Sequence, residues 1–346
     1  MKRWLTVLLL LALLQLGALA HPTSVTVTGA GWTSDGAYLV TTGPSRSLRV
    51  HHGSTGTVVK EVTAPGEVST YIAFSPDSGY DQPNELGYLA VSGTYAVTAS
   101  ADYTLHWWKI PELEIAQQSS TTYNLVGLSL AAEGTVAAYT DTSTRYLDSC
   151  MTLVRWSAPE GLTSESFSDL SAPDSSSSFG VPRLSPNGQW AAARVADTVK
   201  LWNLLTPGLP AVDLGQMPLA MGNSFYYSAD AKGVSQNSYA AEQMRHLICP
   251  EATDLAVDQA ENLLLALAGD GLWIWELSTS NPPRQWTKSA EKMTICPDGK
   301  KVGLWQKDHL EVWDLETEKL LFKLDRPREE PSGKAFRRLP PAPPGE

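Results

Sequence analysis

The sequence predicts an all-β fold, a seven-bladed β-propeller of four-stranded antiparallel blades, on three observations. The first is a recurring apolar-alternating strip that ends in tryptophan: "LHWW" at 105–108, "LVRW" at 153–156, "VKLW" at 199–202, "LWIW" at 272–275 and "LEVW" at 310–313, with "LRVH" at 48–51 as a sixth copy. Apolar residues two apart are the period of a strand with one buried face. The second is spacing. From His51 the last residues of these strips lie 57, 48, 46, 73 and 38 positions apart, and the 73 is close to two intervals, so a degenerate unit is expected between Trp202 and Trp275. The third is an Asp- or Asn-containing turn ahead of each strip, as in "TSDG" at 33–36, "SPDS" at 75–78, "SPNG" at 185–188 and "CPDG" at 296–299. Such residues accept the positive φ of a tight turn, so each element joins a first strand to a second.

Taken in order, residues 1–20, "MKRWLTVLLLLALLQLGALA", carry Lys2 and Arg3, a leucine-rich run and small residues at Ala18 and Ala20. This is the pattern of a secretory signal cleaved before His21, and no cysteine follows for a lipid anchor. The units are then expected at 24–63, 68–118, 124–168, 180–214, 217–250, 253–287 and 291–325. In the degenerate fifth unit, "SADAKG" at 228–233 reads as the first turn and "MRHLI" from Met244 as the weakened third strand. After each third strand a polar turn leads to a fourth apolar strip, such as "TVVKEV" in the first unit and "KLLFKL" in the last. Four short strands per unit, repeated radially, make propeller blades, so 21–325 is one domain. Both end blades look complete, which leaves closure of the ring to packing between blades. Residues 326–346, "RPREEPSGKAFRRLPPAPPGE", read as a disordered, Pro-rich basic tail.

The copies "FSPD...TASADYTLHWWKIPELE" and "ICPDGKKVGLWQKDHLEVWDLETEKLLFKL" resemble the WD-repeat family over about residues 24–325. The resemblance implies a propeller used for protein interaction and an exported, bacterial-type member. The family's Gly-His dipeptide is absent and Asp follows Trp only in the seventh copy, so its Asp-His-Ser-Trp hydrogen-bond tetrad is not carried over.

Charge narrows the partners. With 26 basic and 37 acidic residues the chain has a net charge of -11. An anionic surface repels phosphate backbones, so nucleic acid is not an expected partner. No stretch beyond the leader is long and apolar enough to cross a bilayer as a helix, so no membrane insertion is expected after cleavage. Cys150, Cys249 and Cys296 would meet an oxidising compartment after export; one disulfide or three buried thiols both fit, and spacing pairs none of them.

Candidate site residues follow from the frame. Asp102, Asp197, Asp270 and Asp308 stand in equivalent turns before the third strand, so symmetry places them on one face as an acidic rim for a cation or basic partner. Trp108, Trp156, Trp202, Trp275 and Trp313 hold the repeat position and read as packing residues between blades. Trp107, Trp190, Trp273, Trp286 and Trp305 lie outside it, and those of them that are exposed are the better candidates for ligand stacking. No nucleophile elbow, calcium loop or C-x-x-C appears, so no catalytic residue, metal or cofactor is expected. The expected function is an exported, monomeric, non-enzymatic scaffold, periplasmic or extracellular, that binds another protein through its loop faces and channel mouth. The alternative is an exported propeller enzyme or carbohydrate-binding protein with its site in the central channel.

Overall fold

Period-two alternation builds antiparallel strands throughout the computed structural model, which describes residues 29–43, 46–65, 88–99, 104–120, 124–130, 136–141, 150–156, 164–171, 183–195, 198–206, 209–240 and 243–326. The leader, the tail beyond Arg326 and most of the insertion at 79–93 lie outside these residues.

Seven four-stranded antiparallel sheets follow in chain order. The first holds β1 (Gly29–Trp32), β2 (Tyr38–Gly43), β3 (Ser47–His52) and β4 (Val58–Thr63); the second holds β5 (Tyr88–Ser92), β6 (Tyr95–Ala99), β7 (Thr104–Lys109) and β8 (Glu114–Ser120). The third holds β9 (Asn124–Leu130), β10 (Val136–Asp141), β11 (Cys150–Trp156) and β12 (Ser164–Ser171); the fourth, β13 (Arg183–Leu184), β14 (Trp190–Val195), β15 (Thr198–Asn203) and β16 (Val212–Leu214). The fifth holds β17 (Ala220–Met221), β18 (Phe225–Asp230), β19 (Gly233–Ser238) and β20 (Gln243–Leu247). The sixth holds β21 (Ala252–Val257), β22 (Leu263–Ala268), β23 (Gly271–Glu276) and β24 (Arg284–Trp286), and the last β25 (Lys292–Ile295), β26 (Lys301–Trp305), β27 (His309–Asp314) and β28 (Leu320–Asp325). Each sheet is a meander. The first strands neighbour one another in the order β1, β5, β9, β13, β17, β21, β25 and back to β1, which makes the arrangement a β-propeller with those strands around a channel.

The expectation of a seven-bladed propeller with a degenerate fifth unit is corrected in two respects. Side chains are described for six blades, sheets one, two and four to seven; the third sheet is given in backbone alone save for Leu130, so the packing set out below is that of six blades. The second correction is the frame of the fifth unit. "SADAKG" is not its first turn: Asp230 ends β18 and Gly233 opens β19, so this is the turn between second and third strands, and Met244 to Leu247 belong to the fourth strand, not the third. The first turn there is the short Gly222–Ser224 link, where Gly222 N–H donates to Phe225 O at 2.8 Å.

The core lies between blades. Leu48 and Val50 of the first sheet meet Trp108 and Ile110 of the second. Leu201 and Leu214 meet Tyr226 and Tyr239, Tyr227 and Val234 meet Leu264 and Trp275, Leu265 and Ile274 meet Val302 and Leu304, and Leu310 and Val312 meet Leu39 and Trp32. That last seam joins the final blade to the first without sharing a strand between them. Burial of each such large side chain stabilises by roughly 1.5–3 kcal/mol.

The strand-one to strand-two turns share one chemistry on what we term the lower face. In the first sheet Thr33 Oγ1 donates to Asp35 Oδ1 at 2.7 Å, Asp35 Oδ1 accepts Ala37 N–H at 3.0 Å, and Gly36 has φ of 65°. Ser185, Asn187 and Gly188 repeat this in the fourth sheet, with Ser185 Oγ to Asn187 Oδ1 at 2.6 Å and φ of 67° at Gly188. In the sixth sheet Asp258 accepts Asn262 and Leu263 N–H at 2.8 and 2.7 Å, and the left-handed residue is Glu261, φ 55°.

Candidate interaction face and channel wall

The upper face is the one where the inner strands begin and the strand-two to strand-three turns lie. Asp270 and Asp308 both stand in those turns and both are exposed. Each is engaged within its own blade: Asp270 Oδ1 accepts Trp273 Nε1–H at 2.8 Å and Asp270 Oδ2 accepts Gln285 Nε2–H at 3.0 Å, while Asp308 pairs with His309 Nδ1. The hydrogen bond from His309 holds the Asp308 carboxyl below the usual range. Asp102 and Asp197 lie outside the described residues. Asp230 occupies the equivalent turn in the fifth sheet, accepting Lys232 and Gly233 N–H at 2.7 and 3.1 Å, a member of the set that the misframed fifth unit hid.

Beside Asp308 the last blade carries a polar cluster. Glu311 accepts from Lys323 Nζ at 2.6 Å and Trp313 Nε1 at 2.9 Å, and lies 3.0 Å from His309 Nε2. Burial would raise this carboxyl, but those hydrogen bonds outweigh it and hold it at about 2.

The channel wall across sheets four to seven is an open cavity of about 280 Å³, lined by Leu184, Leu219, Met221, Leu255, Val257 and Met293 among others, with Arg183 and Thr294 as its polar side chains. Polar groups near it join one blade to the next. Arg183 Nη1 donates to Leu219 O at 2.6 Å, and Asp254 Oδ2 accepts Met293 N–H at 2.9 Å. Burial raises the Asp254 carboxyl; the Met293 hydrogen bond and the Arg183 charge pull it partly back. Elsewhere Arg245 reaches Leu277 O at 3.2 Å, Trp286 Nε1 donates to Glu318 Oε1 at 2.8 Å, and Lys301 Nζ donates to Gly36 O at 3.1 Å across the closing seam.

The repeat tryptophans behave as a class where they are described. Trp108 and Trp275 are buried against the preceding blade, Trp202 is buried, and Trp313 is half-buried with Lys288 Nζ 4.1 Å from its ring centroid. The side chain of Trp156 lies outside the described residues.

Of the off-frame tryptophans, Trp107 and Trp286 are buried and Trp190, Trp273 and Trp305 are half-buried against neighbouring side chains. Trp107 is 1% exposed and Trp286 6%. Trp190 stacks on Tyr239 with centroids 4.7 Å apart, Trp273 stacks on Trp275, and Trp305 lies under Arg326.

Cys249 and Cys296 are buried free thiols, so the described cysteines form no bridge; the side chain of Cys150 is outside the described residues. No family model matches the chain, and no curated protein compared with it is similar.

Proposed function

We propose that the chain is a non-enzymatic protein-interaction scaffold of the WD-repeat kind, exported by its leader, whose upper face binds a partner protein. The observation that carries this reading is the division of labour on that face. The carboxylates of Asp270 and Asp308, hydrogen-bonded within their own blades, stand exposed at equivalent places, whereas the polar groups beside the channel cavity bond across to the neighbouring blade. Exposed charges of one sign at the rim of a rigid ring guide and select a basic partner surface. The channel alternative has less support: among the described residues the cavity brings together no paired carboxylates or aromatic planes of the kind a sugar site uses. We extend the acidic rim to Asp102, Asp197 and Asp230 by equivalence of turn. Nucleic acid is not a partner in this reading, and the free protein is a monomer.

The test is affinity capture from an envelope or secreted fraction with the full chain and with Asp270→Asn/Asp308→Asn, followed by binding of the purified candidate partner. A specific partner lost or weakened at least tenfold by the double variant is the expected result. Equal capture by both proteins would sink the reading, and light scattering on the free protein checks the monomer.

A further inference from the structure

We propose that the upper face carries a carboxylate-binding position, Arg46 at the tip of the first blade with Ser47 beside it, and that it takes an Asp or Glu side chain of the partner protein. The partner rests on the scaffold reading; the site does not. The repeat frame places Arg46 in the acidic rim. Arg46, Asp270 and Asp308 each stand directly before a third strand, which opens at Ser47, Gly271 and His309, and each lies five residues ahead of the residue at the tryptophan place, His51, Trp275 and Trp313. The backbone bonds agree: Ala64 N–H, just past the outer strand β4, donates to Arg46 O at 3.0 Å, as Arg326 N–H, just past β28, donates to Asp308 O at 2.8 Å. The first blade therefore presents a cation where the sixth and seventh present carboxylates.

Arg46 is set apart by what it lacks. Each other arginine whose side chain is described has an acceptor: Arg49 pairs with Glu61, Arg183 donates to Leu219 O, Arg245 to Leu277 O, Arg284 pairs with Glu318, and Arg326 with Glu291. Arg46 has none among the described residues, and its Nη1 is buried. Ser47 Oγ, on a residue 6% exposed, is buried without a partner as well. Two consecutive donors in one turn are thus withheld from water with nothing to accept from them, a cost that a native fold ordinarily avoids. The left-handed backbone of Arg46, φ 59°, adds to that cost. Arg46 as a whole is only half-buried, so the outer edge of its guanidinium is open to a group arriving on the upper face. A carboxylate is the group that fits, because it is planar, only accepts, and matches two parallel N–H bonds of a guanidinium.

One reversed charge also sets register. A partner whose basic groups face Asp270 and Asp308 has its acid at Arg46; turned by one blade toward the seventh, that acid meets Asp308 instead and is repelled.

The first arm of the test uses the purified full chain. With chloride exchanged for acetate at constant ionic strength, the Arg46 Nε–Hε resonance of isotope-labelled arginine, assigned by its loss in Arg46→Asn, is expected to shift saturably. A linear or absent response, or saturation by inorganic phosphate but not by acetate, overturns the proposal. Asn tolerates the left-handed backbone, so Arg46→Asn is expected to keep the urea midpoint or raise it; a lower midpoint shows that the guanidinium is held within the chain and also overturns the proposal. The second arm uses the partner recovered by affinity capture, which Arg46→Asn is expected to bind at least tenfold more weakly. Equal binding overturns the carboxylate contact and leaves the scaffold reading standing, whereas a capture that yields no partner sinks the scaffold reading and leaves the acetate titration to decide the site.

Discussion

His51 and Thr41 are joined across β3 and β2 by a 2.8 Å contact between Nε2 and Oγ1, in the same diagonal relation as Trp108 Nε1 and Thr98 Oγ1, 2.9 Å apart in the next sheet. The other imidazole nitrogen, Nδ1, faces Gly56 O at 3.1 Å. A carbonyl only accepts, so Nδ1 carries the proton and Nε2 accepts from the Thr41 hydroxyl. The histidine at the tryptophan position of the first unit therefore keeps the strand-three to strand-two bond of its neighbour with the donor reversed. In the fifth sheet Asn237 Nδ2 donates to Ser228 Oγ at 3.3 Å in the same diagonal relation, whereas in the fourth, sixth and seventh the diagonal partner is Ala193, Ala266 or Leu304 and offers no hydroxyl.

Thr41→Val follows directly. It leaves Nε2 of a fully buried imidazole without its donor, and a buried group so orphaned costs about 1–3 kcal/mol. The urea midpoint should fall accordingly, whereas Thr63→Val, at the outer strand of the same sheet, should change it little.

The pH dependence has a definite sign. Burial lowers the His51 pKa, with the Gly56 hydrogen bond opposing it in part. The unfolded imidazole binds a proton below about pH 6.5 while the folded one does not. The contribution of His51 is therefore fully present above about pH 6.5 and is lost as pH falls from there through the lower folded value. His51→Gln should flatten the fall in unfolding free energy between about pH 7 and 5; an unchanged slope assigns the acid limb to other groups.

Strand alternation and turn chemistry are local, and they were legible because they repeat. What misled was turn type in the fifth unit. An Asp followed by Gly marks both kinds of turn, but the glycines differ: Gly36, Gly188 and Gly299 have φ of 65°, 67° and 71°, while Gly233 and Gly271 have 143° and 135°. Only the backbone separates them. The polar bonds between blades were also hidden, because Arg183 and Leu219, or Asp254 and Met293, lie about one unit apart with no signal linking them. The cover over the off-frame tryptophans was hidden for a related reason. Trp190 depends on Tyr239 of the next blade for its cover, and Trp305 on Arg326.

Closure of the ring by packing makes Gly36 unusually sensitive. Its φ of 65° already disfavours a side chain, and a methyl there would overlap Cys296 Sγ of the last blade. Gly299 has a similar φ of 71°, and the nearest atom to a methyl there is the flexible tip of Leu263 at 3.2 Å. Gly299→Ala should cost about 1 kcal/mol, mainly from backbone strain, and Gly36→Ala should cost more, since the seam must also shift. Thermal unfolding of the two variants side by side checks this; equal losses would show that the seam absorbs the methyl.

The free thiols give a chemical test. Burial pushes Cys249 up to about 11 and Cys296 up to about 12, and both side chains are shielded. The thiolate is the reactive form, so at pH 8 both should resist iodoacetamide in the folded protein and react promptly in urea. Mass spectrometry of the labelled peptides resolves each site, and labelling at the unfolded rate in the native protein would refute the burial.

Glu261 tests whether strain or contact dominates at a blade seam. It holds φ of 55° where the equivalent turns use glycine, and its Oε1 accepts Ser224 N–H of the preceding blade at 2.6 Å. The left-handed conformation costs about 1 kcal/mol for a residue with a side chain, while a carboxylate hydrogen bond contributes about 1.5–3 kcal/mol. Glu261→Gln keeps the strain and weakens the bond, so it should destabilise by about 1 kcal/mol. Glu261→Gly removes both, and the two terms offset to within about 1 kcal/mol of the wild type. Urea midpoints of the two variants decide it: a glycine variant clearly more stable than wild type would mean that strain exceeds the contact, and a glutamine variant without effect would mean that the carboxylate charge contributes nothing across the seam.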